Sequence, residues 1–263
     1  MNHSMWKVRF WIVAAVIAAC MMLPGSRARA EDFSSTDLQV LYTPFLDKDD
    51  PDLGNGIFTS SNRLTAARLE HYGMWNYGDN FLCADLTEGT KVGGSGSGSF
   101  GSDTRAHIFL VYVPRISLSK VTQTPMTTLG GFVNDVYLAG RLERASYGSY
   151  QAENIGISFD LKVPGTVFFE QDFYARKTNY DKGAEFLSRT VWLAPFAAGP
   201  VGLHFDGLAL LKTTDNGANL FTQLDFLADI LKDGRLQAGI RLESAHYKHY
   251  DRDTPYIMLK WVF

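Results

Sequence analysis

The stretch "DVYLAGRLE", residues 135–143, alternates two kinds of side chain. Its even-numbered positions hold Val136, Leu138, Gly140 and Leu142, and its odd-numbered positions include Asp135, Tyr137, Arg141 and Glu143. A period of two places successive side chains on opposite faces of a β-strand. The stretch therefore predicts a strand with one uncharged face and one charged face.

Similar runs, rich in β-branched and aromatic residues and separated by turn-forming residues, recur along the chain. They predict twelve strands, at 36–43, 64–74, 79–87, 105–118, 132–144, 151–163, 166–177, 185–197, 201–212, 219–231, 235–248 and 255–263. In eight of these strands, the charged residues fall mainly on one parity. The second, fourth and eighth strands do not show which row faces outward.

The chain ends on "YIMLKWVF", residues 256–263, whose Ile257, Leu259, Trp261 and Phe263 form one apolar row. Soluble sandwiches also alternate, but their strands are usually about 5–6 residues long. Strands of about 9–11 residues suit a tilted crossing of a membrane. An apolar outer row facing lipid and a polar row facing a lumen predict a closed transmembrane barrel, in which the last strand pairs with the first.

The lengths of the connections support this interpretation. The links at 164–166, 198–200 and 232–234 are tight, and longer polar links lie between them. Outer-membrane barrels combine short periplasmic turns with long external loops and an even strand count. We therefore predict an all-β fold, a closed antiparallel up-and-down barrel of twelve strands. The segment "KVTQTPMTTLGG", residues 120–131, is longer than a periplasmic turn should be.

The N-terminus predicts export. Lys7 and Arg9 precede an apolar run, and small residues at 28 and 30 suit a signal peptidase. We predict a signal peptide at 1–30, cut after Ala30, and a barrel with external loops at 31–263. An alternative is acylation of Cys20 in "IAAC".

Composition argues against several classes of function. The formal net charge is −3, and removal of residues 1–30, with four basic residues and no acidic one, gives −3 − 4 = −7. A nucleic acid is therefore not expected as a partner, because phosphate binding needs a basic surface. Cys83 would be the one cysteine left, so neither a disulfide nor a cysteine-based metal site is expected. No cofactor is predicted.

Several segments resemble the nucleoside-specific channel-forming (Tsx-like) family of outer-membrane proteins. They are "LEHYGMWNYGDNFLCADLTEG" (69–89), "VYVPRISLSKVT" (111–122), "VPGTVFFEQDFYAR" (163–176), "VWLAPF" (191–196), "LQAGIRLESAHYKHY" (236–250) and "LKWVF" (259–263). The resemblance implies a twelve-stranded passive channel for nucleosides in the outer membrane of a Gram-negative bacterium. Some members of the family are receptors for phages or colicins. The aromatic last residue is also typical of barrels inserted by the outer-membrane assembly machinery, which is the expected partner.

The candidate solute-binding residues are the polar side chains predicted to face the lumen. They are Arg68, Glu70, Asp135, Tyr137, Arg141, Glu143, Glu170, Asp172, Tyr174, Arg176, Arg241 and Glu243. Aromatic rings could stack on a planar base, carboxylates accept hydrogen bonds from ribose hydroxyls, and guanidinium groups donate to base carbonyls. Charge of balanced sign should disfavour strongly charged solutes. Alternatively, these charges pair with one another along the wall.

Other functions need residues that the sequence supplies less well. An outer-membrane lipid hydrolase or protease could use His71 or His204, but the chain has no Gly-x-Ser-x-Gly elbow. His246 and His249 are too few to hold a metal. A structural or receptor barrel is the remaining alternative. The Gly-Ser-rich run at 93–103 is interpreted as part of an external loop, at 88–104, rather than as a linker.

Overall fold

Residues with alternating side chains form long strands in the computed structural model, because each strand can pair on both edges and present two chemically different faces. The strands are β1 (Phe33–Thr43), β2 (Phe58–Thr59), β3 (Leu64–Trp75), β4 (Gly78–Gly93), β5 (Thr104–Ser117), β6 (Val133–Ala145), β7 (Gln151–Leu161), β8 (Phe168–Thr178), β9 (Glu185–Ala198), β10 (Val201–Thr214), β11 (Gly217–Asp229), β12 (Leu236–Tyr247) and β13 (Tyr250–Val262).

The structure describes residues 33–45, 58–59, 63–93, 104–127, 129–146, 150–179, 183–214, 217–247 and 250–263. These belong to the unit Glu31–Phe263. The predicted signal peptide, Cys20, His249 and most of the Gly-Ser-rich run lie outside the described residues.

All strands except β2 form one closed antiparallel barrel of twelve strands. The sheet runs from β4 through β3, β1 and β13 back down the chain to β5, and pairing between β4 and β5 closes the ring. The first and last strands meet in the order predicted, with Leu38 opposite Trp261 and Val40 opposite Leu259. The short β2 pairs with the last residues of β4, where Phe58 lies opposite Gly93. The predicted fold class is confirmed.

The strand boundaries agree with the sequence prediction to within a few residues, with two main exceptions. The strand predicted at 79–87 extends to Gly93 in β4, so residues 88–93 of the loop predicted at 88–104 belong to a strand. The other exception is the last strand. It begins at Tyr250 rather than at 255, and the first begins at Phe33 rather than at 36. Both differences come from polar residues that pair along the barrel wall near its ends, for example His246 opposite Asp251. Apolar alternation does not reveal such residues.

The connections at one end of the barrel, here called the tight-turn end, include the short links after β3, β7, β9 and β11. The longer segment at this end holds a short helix, α1 (Leu118–Thr122), and a 3₁₀ turn at Leu129–Gly131. Ser117 caps α1 by accepting a hydrogen bond from the Lys120 amide. The local helix explains why this connection is longer than a turn. None of the helices in the described residues has the length and apolar character needed to cross a membrane.

The two faces of the wall differ as the alternation predicts. Outward side chains such as Ile155 and Ile257 are 65% and 63% exposed, whereas inward side chains such as Asp172 and Met258 are fully buried. The structure also shows which row faces inward in the three strands for which the sequence did not indicate it. Arg68 faces inward from β3, Arg115 from β5 and Arg189 from β9, and all three side chains are largely buried.

Gly156 marks a close approach between neighbouring strands. A Cβ atom at this position would lie 1.9 Å from the Phe173 carbonyl oxygen of β8. By contrast, a Cβ atom at Gly140 on the neighbouring strand β6 would lie 3.4 Å from the Pro114 ring and 3.9 Å from the Asn154 carbonyl oxygen. A glycine where backbones come this close lets the wall bend into a closed barrel.

We therefore predict that Gly156→Ala lowers the free energy of unfolding by about 1–3 kcal/mol, because the added methyl group forces the two backbones apart. Gly140→Ala, the matched control, should change it by less than about 0.5 kcal/mol. Urea unfolding of the refolded protein in lipid vesicles measures both. Equal effects of the two substitutions would contradict the close approach.

Candidate functional site

The candidate site is the interior of the barrel, because every residue proposed from the sequence lies on an inward row. Arg68 and Glu70 project from β3, and Asp135, Tyr137, Arg141 and Glu143 from β6. Glu170, Asp172, Tyr174 and Arg176 project from β8, and Arg241 and Glu243 from β12. Their inward orientation is established, while their contact with a solute stays a prediction. The structure divides them among several separate clusters of charge.

One cluster, near the tight-turn end, centres on Arg115. Its guanidinium group binds Asp79 through two nitrogens, at 2.7 and 2.8 Å. It also reaches Asp160 at 2.9 Å, Glu170 at 3.0 Å and the Ser158 hydroxyl at 3.1 Å. A planar guanidinium with five N–H donors suits such a set of acceptors. Since Glu170 comes from β8, three strands from β5, this cluster ties distant parts of the wall together.

Arg189 shares Glu170 with that cluster and extends it along the barrel. It lies 3.2 Å from Glu170 and 2.5 Å from Asp172, the residue directly opposite it in register. The Tyr174 hydroxyl lies 3.1 Å from the same aspartate. Two arginines therefore hold four carboxylates in this region of the lumen.

A second cluster lies toward the other end of the barrel, here called the loop end. The Arg141 Nε donates to Glu143 at 2.6 Å, and the Tyr150 hydroxyl donates to the other oxygen of that carboxylate, also at 2.6 Å. Arg176 donates to the Tyr150 oxygen at 2.5 Å and pairs with Glu185. The interpretation that lumenal charges pair within the wall describes this cluster well.

A third group of contacts crosses the lumen. Arg68 pairs with Asp85 on the next strand, at 2.5 and 3.0 Å, and also donates to the Gln223 side-chain oxygen at 3.0 Å. Gln223 belongs to β11, which is separated from β3 in the wall by β12, β13 and β1. The Arg68–Gln223 contact is therefore a bridge through the interior, not along the wall.

Apolar side chains narrow the interior further. Leu41, Leu64, Leu227, Tyr256 and Met258 form a buried cluster on one side of the barrel. Ala145, from β6 several strands away, packs against this cluster. Contacts between walls that are not neighbours in the sheet mean that side chains fill much of the bore at this point.

The side chains of Arg241 and Lys260 also link strands, near the place where the first and last strands of the barrel pair. Arg241 binds Asp225 through two nitrogens at 2.7 Å and donates to the Gln39 oxygen at 2.8 Å. The Lys260 ammonium lies between Asp37 and Asp206, at 3.6 and 3.8 Å. The side chain of Lys260, on the last strand, therefore has its counter-ions on β1 and β10.

Sequence reasoning missed two central residues, Arg115 and Arg189. Their strands carry apolar residues on the inward row, among them Val111, Val113 and Leu187, so the contrast between the two rows is weak. The missed signal was the shared parity of the charged residues in each strand, since Arg105 and Arg115 in β5, and Glu185 and Arg189 in β9, all occupy odd-numbered positions. In a barrel exposed to an apolar environment, one such charge is enough to identify the inward row.

The aromatic side chains proposed to stack on a base are already engaged in the wall. The Arg115 guanidinium lies over the Tyr137 ring, 4.4 Å from its centroid, and the Tyr137 hydroxyl donates to Asp160 at 2.8 Å. Tyr174 is only 1% exposed. A solute would have to displace these contacts to reach either ring.

The histidines considered for catalysis lie apart from one another. His204 contacts Asp229 and Gln237, both at 2.9 Å, near the tight-turn end. His71 lies on the outward row and contacts the Thr36 hydroxyl at 2.8 Å. In the part of the chain that the structure describes, no group of three or more His, Cys, Asp or Glu residues is arranged to hold a metal ion.

Comparison with solved structures finds similar barrels at low identity. The KdgM porin is 9% identical, with a TM-score of 0.46, over 87% of this chain and 99% of that one. A bacterial polysaccharide outer membrane secretin is 12% identical, with a TM-score of 0.41, over 89% and 98% of the two chains. The low-pH structure of OprB from Pseudomonas putida is 7% identical, with a TM-score of 0.33, over 89% and 93%. No family model and no curated protein matches the chain.

We predict that Arg115→Met lowers the free energy of unfolding by about 3–5 kcal/mol, because it leaves buried carboxylates without their counter-ion. Arg144→Gln is the control, since Arg144 pairs with Glu153 on the exposed outer rim, where an ion pair is worth less than about 1 kcal/mol. Urea unfolding in vesicles compares the two variants. A small effect of Arg115→Met would mean that the cluster does not support the fold.

Proposed function

We propose that this protein is a narrow channel of the bacterial outer membrane through which small solutes diffuse passively. The observation that carries the proposal is the division of the closed barrel into uncharged outward rows and charged inward rows. A barrel with an apolar outer surface and a polar interior satisfies its backbone in lipid while offering a hydrophilic path.

The outer surface supports a location in a membrane. Charges on the described outward rows occur only near the loop end, at Arg144, Glu153, Lys177, Asp251 and Asp253. Below them the wall exposes many large apolar side chains, an area far beyond the few hundred Å² usual for a soluble monomer. Such a surface would aggregate in water and is stable in hydrocarbon.

Polar side chains within this outward belt are paired with one another. The Gln171 side-chain nitrogen lies 2.9 Å from the Ser188 hydroxyl, and the Thr190 hydroxyl donates to the Gln171 oxygen at 2.7 Å. An unsatisfied polar group in hydrocarbon costs several kcal/mol. The pairing is what a lipid-facing position requires.

Outward aromatic residues suggest the orientation of the barrel. Several lie near the tight-turn end, namely Trp75, Phe159, Phe196 and Trp261. Aromatic girdles mark the membrane interface in barrels of this kind, and short turns face the periplasm. The tight-turn end is therefore assigned to the periplasm, and the loop end to the exterior.

The interior supports a channel of small bore. Its polar side chains suit hydrophilic solutes, while the Arg68–Gln223 bridge and the apolar cluster around Met258 restrict the path. Nucleosides are the solutes proposed from the family resemblance. The inward rows hold neutral hydrogen-bonding side chains at Gln39, Gln223 and Thr254, and a nucleoside would have to compete with the guanidinium groups that already bind the two glutamines.

Conductance of the refolded protein in a planar bilayer tests the function, with adenosine or thymidine titrated against a sugar and an amino acid. Small single-channel currents that nucleosides alone block saturably are expected. Currents that none of these solutes changes would support the channel function and contradict the nucleoside preference. Protein that folds and inserts but carries no current would overturn the channel and favour a receptor or an enzyme.

We predict that Gln223→Ala raises the single-channel conductance, because it removes one side of the lumenal bridge without changing any charge. The matched control is Gln171→Ala, on the outward row, which should leave the conductance unchanged. An unchanged conductance in Gln223→Ala would show that the bridge does not limit the path.

A further inference from the structure

The charges inside the barrel do not balance. The described inward rows hold nine basic residues, Arg68, Arg115, Arg141, Arg176, Arg189, Lys212, Arg241, Arg252 and Lys260. They hold fourteen acidic residues, Asp37, Glu70, Asp79, Asp85, Asp135, Glu143, Asp160, Glu170, Asp172, Glu185, Asp206, Asp225, Asp229 and Glu243. The sum for the described side chains is 9 − 14 = −5. The balanced charge expected from the sequence is therefore wrong, because the candidate residues left out carboxylates on β1, β4, β7, β10 and β11, among them Asp37, Asp79 and Asp206.

The excess of acid is concentrated at one end. Three arginines face an aspartate directly across a strand pair and form neutral pairs, Arg68–Asp85, Arg189–Asp172 and Arg241–Asp225. Of the remaining charges, those nearer the tight-turn end of their strands are two basic and eight acidic, 2 − 8 = −6. Those nearer the loop end are four basic and three acidic, 4 − 3 = +1.

The two basic residues at the tight-turn end are each surrounded by more carboxylates than they can neutralise. Arg115 has three carboxylates within 3.0 Å, those of Asp79, Asp160 and Glu170. The Lys260 ammonium lies within 3.8 Å of both Asp37 and Asp206. The chain's own guanidinium and ammonium groups thus show that cations of this kind fit among these carboxylates.

We propose that the lumen selects small cationic solutes, such as inorganic cations and amines, over anions, and that the carboxylates of the tight-turn half set this preference. The proposal rests on the channel function proposed above. Unbalanced charge in a cleft with low-dielectric walls focuses the field and raises the local concentration of counter-ions. A ring of carboxylates selects cations in other pores by the same means.

The contribution of one carboxylate to the preference is modest but measurable. A unit charge about 10 Å from a water-filled path roughly doubles the local cation concentration in water and roughly halves the local anion concentration. Removing one acid should therefore reduce the ratio of cation to anion permeability about fourfold. Removing two should have a larger effect.

The test is the reversal potential of the refolded full-length protein in a planar bilayer under a KCl gradient. The unaltered channel should reverse toward the potassium equilibrium potential. Asp206→Asn and Asp229→Asn should each shift the reversal potential toward zero, and the double variant should shift it further. Glu153→Gln removes the same charge from the outer rim at the loop end, where it pairs with Arg144, and should leave the reversal potential unchanged.

Folding is checked separately by the mobility of unboiled protein in a denaturing gel. If one of the two aspartate variants does not fold, the other still provides the test. Absence of current in the unaltered protein overturns the channel itself. A current that reverses toward the chloride potential, or a cation preference that both folded aspartate variants retain in full, overturns this proposal and leaves the channel intact.

Discussion

Closure of the sheet is the constraint on which the rest of the structure depends. In hydrocarbon no water is available to pair with a free strand edge, so a sheet that crosses a membrane must end where it began. The chain meets this requirement by pairing its first strand, β1, with its last, β13, while the other pairs of the ring join strands that follow one another around the barrel. Once the ring is closed, each side chain faces either the outside or the lumen, and every charged residue in the middle of a strand must turn inward. The charge clusters follow from this geometry rather than from any local motif.

The interior clusters have two roles that oppose each other. Pairing among Arg115, Asp79 and Glu170 joins distant strands and compensates buried charge, which favours a rigid wall. The same pairing occupies the groups that a solute would need, and it covers the ring of Tyr137. In such an interior, only charge in excess of what the wall neutralises produces a net field. The excess carboxylates near Lys260 are such a charge, and the proposed cation preference rests on them rather than on the paired residues.

The sequence predicted most of the strands of the wall but few of the side-chain contacts inside the barrel. Alternation at Val136, Leu138 and Leu142 identified β6 and its outward row, because the period of a strand is a local property. Arg115 and Arg189 were missed because their strands mix apolar residues into both rows. The bridge between Arg68 and Gln223 could not be predicted at all. It depends on how far each strand is shifted against the next around the whole ring, and alternation within single strands does not contain that shift.

The same reasoning explains why the net charge of the inward rows could not be obtained from the sequence and required the fold. The residues that tip the balance, such as Asp37, Asp79 and Asp206, do not share a motif. Each is one acid in the middle or at the end of a different strand, and they gather at one end of the lumen only when the barrel closes. A field built this way weakens by degrees as members are lost, since the others remain. It is therefore expected to grade the passage of ions by charge.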